Sequence, residues 1–320
     1  MNDLSQPPAM VGKTNLSWLR RALRTVGLTG ENPHLTSKVD PGSITAMRIV
    51  VGLIVLYDAW ASLSWSHKQE MAQFLGVGME SAWLALTVAV VSFVKLAIAA
   101  SLLSGRGVQP MGWVGVIYGL VVWIVMEHGG DFGQGATDPG LGFPYVILFL
   151  YLIGADRLRS EGDASANEIL SLARVAFGLL WAYDAALKFQ PYFLNHYIGY
   201  LNDATNDVGA QSWQGVYDHA WTVVSIAIGA KTVAVLVGLT EALIAVSLIS
   251  GRGLRLIGPI GIALSLAVWT TAEEWGGPYS LGITSNMPMR LIGVAIIYAI
   301  TFGYVWLLYN PRDLFSKRKA

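Results

Sequence analysis

"RIVVGLIVLYDAW" (Arg48–Trp60) and "RVAFGLLWAYDAA" (Arg174–Ala186) each place an arginine at the head of an apolar run, a glycine four residues on, and Tyr-Asp-Ala five residues after that. The second copy stands 126 residues beyond the first. A helix crossing the ~30 Å hydrocarbon layer needs roughly 20 apolar residues, and a charge at each end suits its two interfaces. Working outward, eight stretches reach or approach that length: 43–65, 82–103, 109–127, 142–155, 168–188, 223–249, 255–274 and 288–309. The fourth is short and reads as tilted, or as beginning within the preceding loop. The pattern predicts an all-α polytopic membrane protein with eight transmembrane helices.

Composition agrees with that class. Of 320 residues, 54% are hydrophobic and 13% charged, against about 25% charged in soluble domains. Lys plus Arg equals Asp plus Glu at 21 each, so no basic excess points to a nucleic-acid partner. The chain has no cysteine, which excludes disulfides, thiolate nucleophiles, c-type haem attachment and Cys-ligated iron–sulfur clusters. Redox chemistry would need a borrowed cofactor, a lipid-soluble carrier or another subunit. Positive residues gather on one predicted side: Lys13, Arg20, Arg21, Arg24 and Lys38, then Arg106, Arg157, Arg159, Arg252, Arg255 and the tail Arg312–Lys319. The positive-inside rule then puts both termini in the cytoplasm, in a multi-pass protein of the cytoplasmic membrane surrounded by lipid. Residues 1–40 lack the apolar core of a cleavable signal peptide, so the first span is expected to act as a signal-anchor. Within them Leu16–Leu28 reads either as an interfacial helix or as a loosely ordered basic tail.

A second repeat links the later spans. "SLLSGRGVQPMGWVG" (Ser101–Gly115) is echoed by "SLISGRGLRLIGPIG" (Ser247–Gly261), now 146 residues on. The same offset pairs Trp123 with Trp269 and Glu127 with Glu273. The growth from 126 to 146 places 20 additional residues between the fifth and sixth spans. The chain therefore reads as a tandem duplication: a cytoplasmic segment 1–40, a four-helix unit 41–160, a second unit 161–310 and a basic tail 311–320. An even number of spans per unit makes the repeats parallel. A four-span unit opening with Arg-x-x-x-Gly-Leu, followed by a helix rich in small residues and a glycine/arginine turn, resembles the DoxX/DoxD superfamily. DoxD members are membrane subunits of thiosulfate:quinone oxidoreductase, and the resemblance, counted as two copies, covers nearly all of residues 43–309. It implies thiosulfate as substrate and quinone as electron acceptor. The duplication itself departs from the single copy usual in that family.

Ionisable groups near the bilayer centre cost at least about 2.5–3.5 kcal/mol each, so each needs a partner or a task. At about 1.5 Å per residue, Arg48 and Arg174 sit roughly 7–9 Å inside the cytoplasmic face. Lys95 and Glu241 occupy equivalent positions in the second and sixth spans. These four form an expected charge network in which Arg174 pairs with Glu241 while Arg48 and Lys95 snorkel toward lipid phosphates. An inner-leaflet pocket for a quinone carbonyl or an anionic headgroup is the alternative. Toward the outside, Trp123 and Glu127, and again Trp269 and Glu273, share one helix face. Each pair either sandwiches a quinone head and takes its protons or is an interfacial anchor beside a solvated carboxylate.

The second half also carries Lys188, Lys231 and Arg290, where the first has Ser62, Ala85 and approximately Val146. These cations either neutralise Asp184, Glu273 and Glu274 or form an electropositive funnel for a small dianion. In the latter case Arg290 supplies bidentate contacts and Asp184 orients Lys188. His67, His128, His196 and His219 fall in predicted outer loops and His34 near the N-terminus, so haem is not expected and no metal site is assigned. The glycine-rich Glu127–Gly140 begins no βαβ unit, which argues against a nucleotide. The segment Gln190–Ala220 is expected to cover the outer mouth as an interfacial helix plus lid, or to dock an external partner subunit. The functional expectation is a membrane oxidoreductase with Glu273 and Asp184 as catalytic residues, Lys188, Lys231 and Arg290 holding the anion, and Trp269, Trp123 and Glu127 at the quinone. A non-catalytic anchor subunit of a respiratory complex and a small-anion transporter are the rival expectations.

Overall fold

The computed structural model describes residues 39–130, 133, 136–160, 163–207, 212–273, 275 and 293–309. Every regular element among them is helical. The first, α1 (Pro41–Ala61), opens with Asp40 accepting the Ser43 backbone N–H at 3.0 Å and with proline at its first position, a start that satisfies an otherwise orphaned donor. Then come α2 (Trp65–Leu75), α3 (Ala82–Ser104) and α4 (Val108–Val121), which widens into a π turn at Val122–Met126. They are followed by α5 (Gly142–Ser160), α6 (Asp163–Lys188), α7 (Pro191–Asp207) and α8 (Trp213–Ile228), then α9 (Ala230–Ser250), α10 (Leu254–Thr270) and α11 (Val294–Tyr309). The repeated Ser-Gly-Arg-Gly makes the α3–α4 and α9–α10 turns. Gly105 and Gly107 have φ 74° and 64°, Gly251 and Gly253 72° each, a left-handed backbone that only glycine adopts freely.

α1 packs along α3, and α6 along α9. The close points are Gly52 against Leu102 and Leu103, and Gly178 against Leu248 and Ile249. α4 packs on α5 through Gly112 and Gly115, which meet Ile153 and Phe149; α10 packs on α11 through Gly258 and Gly261, which meet Trp306 and Phe302. Small residues at such seams let apolar helices approach closely without a hydrophobic drive from water. α5 lies innermost, touching α1, α4, α6 and α11, and Tyr151 stacks on Tyr304 of α11 at 6.3 Å and 17°.

Five helical stretches are long and apolar enough to cross a bilayer: Pro41–Ala61, Ala82–Ser104, Val108–Met126, Ala166–Lys188 and Ala230–Ser250. α10 and α11 are apolar but span 17 and 16 residues, and α5 ends on Asp156, Arg157 and Arg159. Outward faces display Leu53, Phe93, Ile117, Leu243 and Leu256, side chains suited to lipid. The chain is a helical membrane protein. Three sequence expectations are corrected. The stretch expected as one span over 223–249 is broken at Gly229 (φ 104°) into α8 and α9. The segment 190–220, expected as one interfacial helix with a lid, contains α7 and the first half of α8. A helix, α2, follows the first span where none was expected. The segment Leu16–Leu28, the tail and Arg290 lie outside the described residues.

Candidate functional site

Antiparallel packing decides which charges meet. With Gly178 level with Leu248, Arg174 stands opposite the end of α9 and donates from Nη1 to the carbonyls of Leu248 and Ile249. Those are last-turn acceptors with no partner inside the helix. Arg48 lies likewise against Gly105. The expected Arg174–Glu241 pair therefore does not form, because Glu241 sits two turns closer to the other end of α9. Lys95 does not snorkel to the inner face either: its Nζ is 2.9 Å from Asp58 Oδ2 and 2.8 Å from Ser62 Oγ. Glu241 instead faces Lys188, with Oε1 3.9 Å from Nζ. Lys188 also donates to the Thr137 carbonyl at 2.5 Å and lies 5.2 Å from the Phe193 ring.

Around Lys188 and Glu241 is a cavity of about 350 Å³. α6 contributes Trp181, Asp184 and Lys188; α7 contributes Phe193, Tyr197 and Tyr200. Glu241 comes from α9, Ser265 from α10, Tyr298 from α11, and Thr137 with Asp138 from the loop before α5. Three buried polar atoms on its wall have no hydrogen-bond partner, Trp181 Nε1, Glu241 Oε2 and Ser265 Oγ, and Asp184 and Tyr298 have each other as polar neighbours there. Each orphan costs about 1–3 kcal/mol in a protein interior, so three converging on one space mark a place built for a polar occupant. The described wall carries five carboxyl groups (Asp138, Asp184, Asp203, Glu241 and Glu273) and one cation, Lys188.

The two Trp/Glu pairs have local tasks. Glu127 accepts the backbone N–H groups of Leu141 and Gly142 at 2.9 Å each, so it caps α5 from outside the helix. Glu273 does the same for α11, accepting the Ala295 N–H at 3.0 and 3.1 Å. Trp123 donates to the Pro139 carbonyl at 3.2 Å and lies 4.7 Å from the Phe143 ring. Trp269 packs 5.3 Å from Trp275. Glu273 still touches the cavity; Trp123, Glu127 and Trp269 are not on its wall. Of the three expected anion contacts, Lys188 lines the cavity, while Lys231 is exposed in the first turn of α9. Ten residues separate Lys231 from Glu241, about 15 Å along the helix.

Trp181, Ser265, Tyr298 and Asp138 were not singled out as a set, although Trp181-Ala-Tyr-Asp184 with Lys188 one turn on puts an indole, a carboxyl and an amine on neighbouring turns. Tyr298 carried no such signal. Set against known proteins, the chain matches no family model, no curated sequence and no solved structure.

Proposed function

We propose that the chain is a membrane oxidoreductase of the DoxX/DoxD kind, and that the Asp184–Lys188–Glu241 cavity holds the head of a quinone. The observation that carries this reading is the convergence of buried polar groups, three of their atoms without a hydrogen-bond partner, with aromatic walls on one space. A quinone head needs donors for its two oxygens, ring-shaped apolar walls and groups that exchange protons. Lys188 and Tyr298 supply donors, Trp181 and Phe193 supply walls, and Asp184 with Glu241 supply the exchange. In the same reading α5, α10 and α11 join the five long stretches as spans. Two four-helix units (α1, α3, α4, α5 and α6, α9, α10, α11) then share one orientation in the cytoplasmic membrane, both termini are cytoplasmic, and the cavity faces outward.

The electron donor implied by the resemblance is a small reduced sulfur anion. Joining two thiosulfates by a sulfur–sulfur bond into tetrathionate releases two electrons and leaves no proton at sulfur. Quinone accepts those electrons with two protons, so carboxyl groups at its head have a chemical task. A wall with five carboxyl groups repels a dianion, which favours the exposed Lys231 over the cavity as the anion's place.

Purified protein in lipid nanodiscs should reduce a soluble quinone analogue when thiosulfate is added. Asp184→Asn and Glu241→Gln should each lower kcat about tenfold or more, the scale of a lost proton-transfer group. If both variants keep the wild-type rate, the cavity is not the quinone site. Binding of the analogue without turnover would make the chain an anchor subunit instead.

A further inference from the structure

The two halves of the sequence hold the same kind of cluster with its charges rearranged. In the first, Lys95 lies between Asp58 and Ser62: one cation, one carboxylate, and distances of 2.9 and 2.8 Å. In the second, the position of Lys95 holds Glu241 and that of Ser62 holds Lys188, while Asp184 matches Asp58. One cation now faces two carboxyl groups. All three members are buried: Asp184 is 3% exposed, Glu241 4% and Lys188 8%.

We infer that Asp184 and Glu241 together hold one exchangeable proton beside Lys188, making this cluster a proton site, whereas the Asp58–Lys95–Ser62 cluster pairs one carboxyl group with one cation. Two buried carboxyl groups beside a single counter-charge do not both ionise, because burial and the neighbouring negative charge both penalise the second ionisation. The geometry leaves room for the proton. Glu241 Oε2 accepts no hydrogen bond, and Asp184, whose polar neighbour is the Tyr298 hydroxyl, lines the same cavity.

No second cation stands on the described wall to neutralise the pair; its other charged side chains are Asp138, Asp203 and Glu273. Asp138, from the loop before α5, accepts the Gly140 N–H at 2.9 Å. Asp203 on α7 is exposed. Glu273, beyond α10, is engaged with the start of α11. The phenols of Tyr197 and Tyr200 from α7 complete the titratable set. Retention of the proton holds for any occupant of the cavity. Its delivery rests on the quinone reading: a carboxyl O–H breaks, an O–H forms at one quinone oxygen, the electron pair comes from the reduced sulfur anion, and the second quinol proton comes from bulk water at the cavity mouth.

The test is infrared spectroscopy of the full chain in nanodiscs at neutral pH, comparing H₂O with D₂O. An Asp218→Asn background removes the protonated-carboxyl signal of that separate buried acid. The background protein should show one exchange-sensitive protonated-carboxyl band whose intensity is independent of sodium. Asp184→Asn and Glu241→Gln should each abolish it, because one carboxylate then faces Lys188 alone. Lys188→Met should double it. The double variant Lys188→Ser with Glu241→Lys should abolish it as well, and it recreates an arrangement that the first half already accommodates. Absence of the band, its survival in both single-acid variants, or its disappearance on adding sodium would overturn the inference. Loss of quinone-analogue binding with the band intact would overturn only the quinone reading.

Discussion

Arg174 is among the most deeply buried charges, 2% exposed, and its task is to end a neighbouring helix. The carbonyls it receives from α9 would otherwise be orphans at about 1–3 kcal/mol each. Arg174→Met should therefore destabilise the protein by about 2–4 kcal/mol, and Arg174→Lys by less, since one ammonium serves two acceptors poorly. Thermal unfolding in detergent, followed by tryptophan emission, measures both. Glu127 is a second capping residue, joined to α5 across fourteen intervening residues. Glu127→Ala should cost about 1–2 kcal/mol, the range of a lost N-terminal cap, while leaving quinone-analogue affinity unchanged. A fall in affinity at full stability would return Glu127 to the binding site.

Among the elements, α8 shows how a local polar stripe can make a helix sensitive to pH. Asp218, Thr222 and Ser225 lie on one buried face, and neither Asp218 oxygen has a hydrogen-bond partner. Burial pushes the Asp218 carboxyl up from 3.8 to about 7. A raised folded-state value means that the packed helix prefers the protonated acid. Its contribution to stability is complete below the ordinary carboxylate range and is lost as pH rises through about 7. Amide protection in α8, corrected for the intrinsic exchange rate, should accordingly fall as pH rises from the ordinary carboxylate range to about 7 and level off above it, and Asp218→Asn should remove that dependence. Equal protection at all pH values in the wild type would show that the acid does not govern docking. The break at Gly229 belongs to the same scale. Hydropathy runs smoothly through 223–249, so the register of apolar residues does not reveal that the backbone turns there; φ 104° does.

Across the whole molecule, the α4–α5 and α10–α11 seams differ where the second borders the cavity. Gly119 in α4 lies so close to the start of α5 that an added Cβ would meet the Gly142 carbonyl at 2.9 Å and Val146 at 3.0 Å. The matching residue of α10, 146 positions on, is Ser265, whose hydroxyl opens on the cavity. Lower on the same seams, glycine is kept in both helices. Gly115→Ala would put its Cβ 2.6 Å from the Phe149 ring, and Gly261→Ala would press on Phe302 in the same way. Overpacking of this kind costs about 1–3 kcal/mol. Each variant should lower thermal stability, and the double variant should do so additively if the two seams are independent. Non-additivity would mean that the seams communicate through the contact of α5 with α11.

What the residues determine by themselves is local. Apolar run length predicted helices suited to a bilayer, and the five long stretches follow it. The repeated Ser-Gly-Arg-Gly dictates two left-handed turns, and the repeated arginine and aspartate mark related places on related helices. The pairing of charges was not legible. Arg174 was matched to Glu241 and Lys95 to lipid, because depth was counted from each helix end separately. The observed partners are the end of α9 for Arg174, Asp58 for Lys95 and Lys188 for Glu241. Which carboxyl meets which cation depends on how far one helix slides along its antiparallel neighbour. Contacts such as Gly178 with Leu248 set that offset between residues distant in the chain, and only the packed structure supplies it.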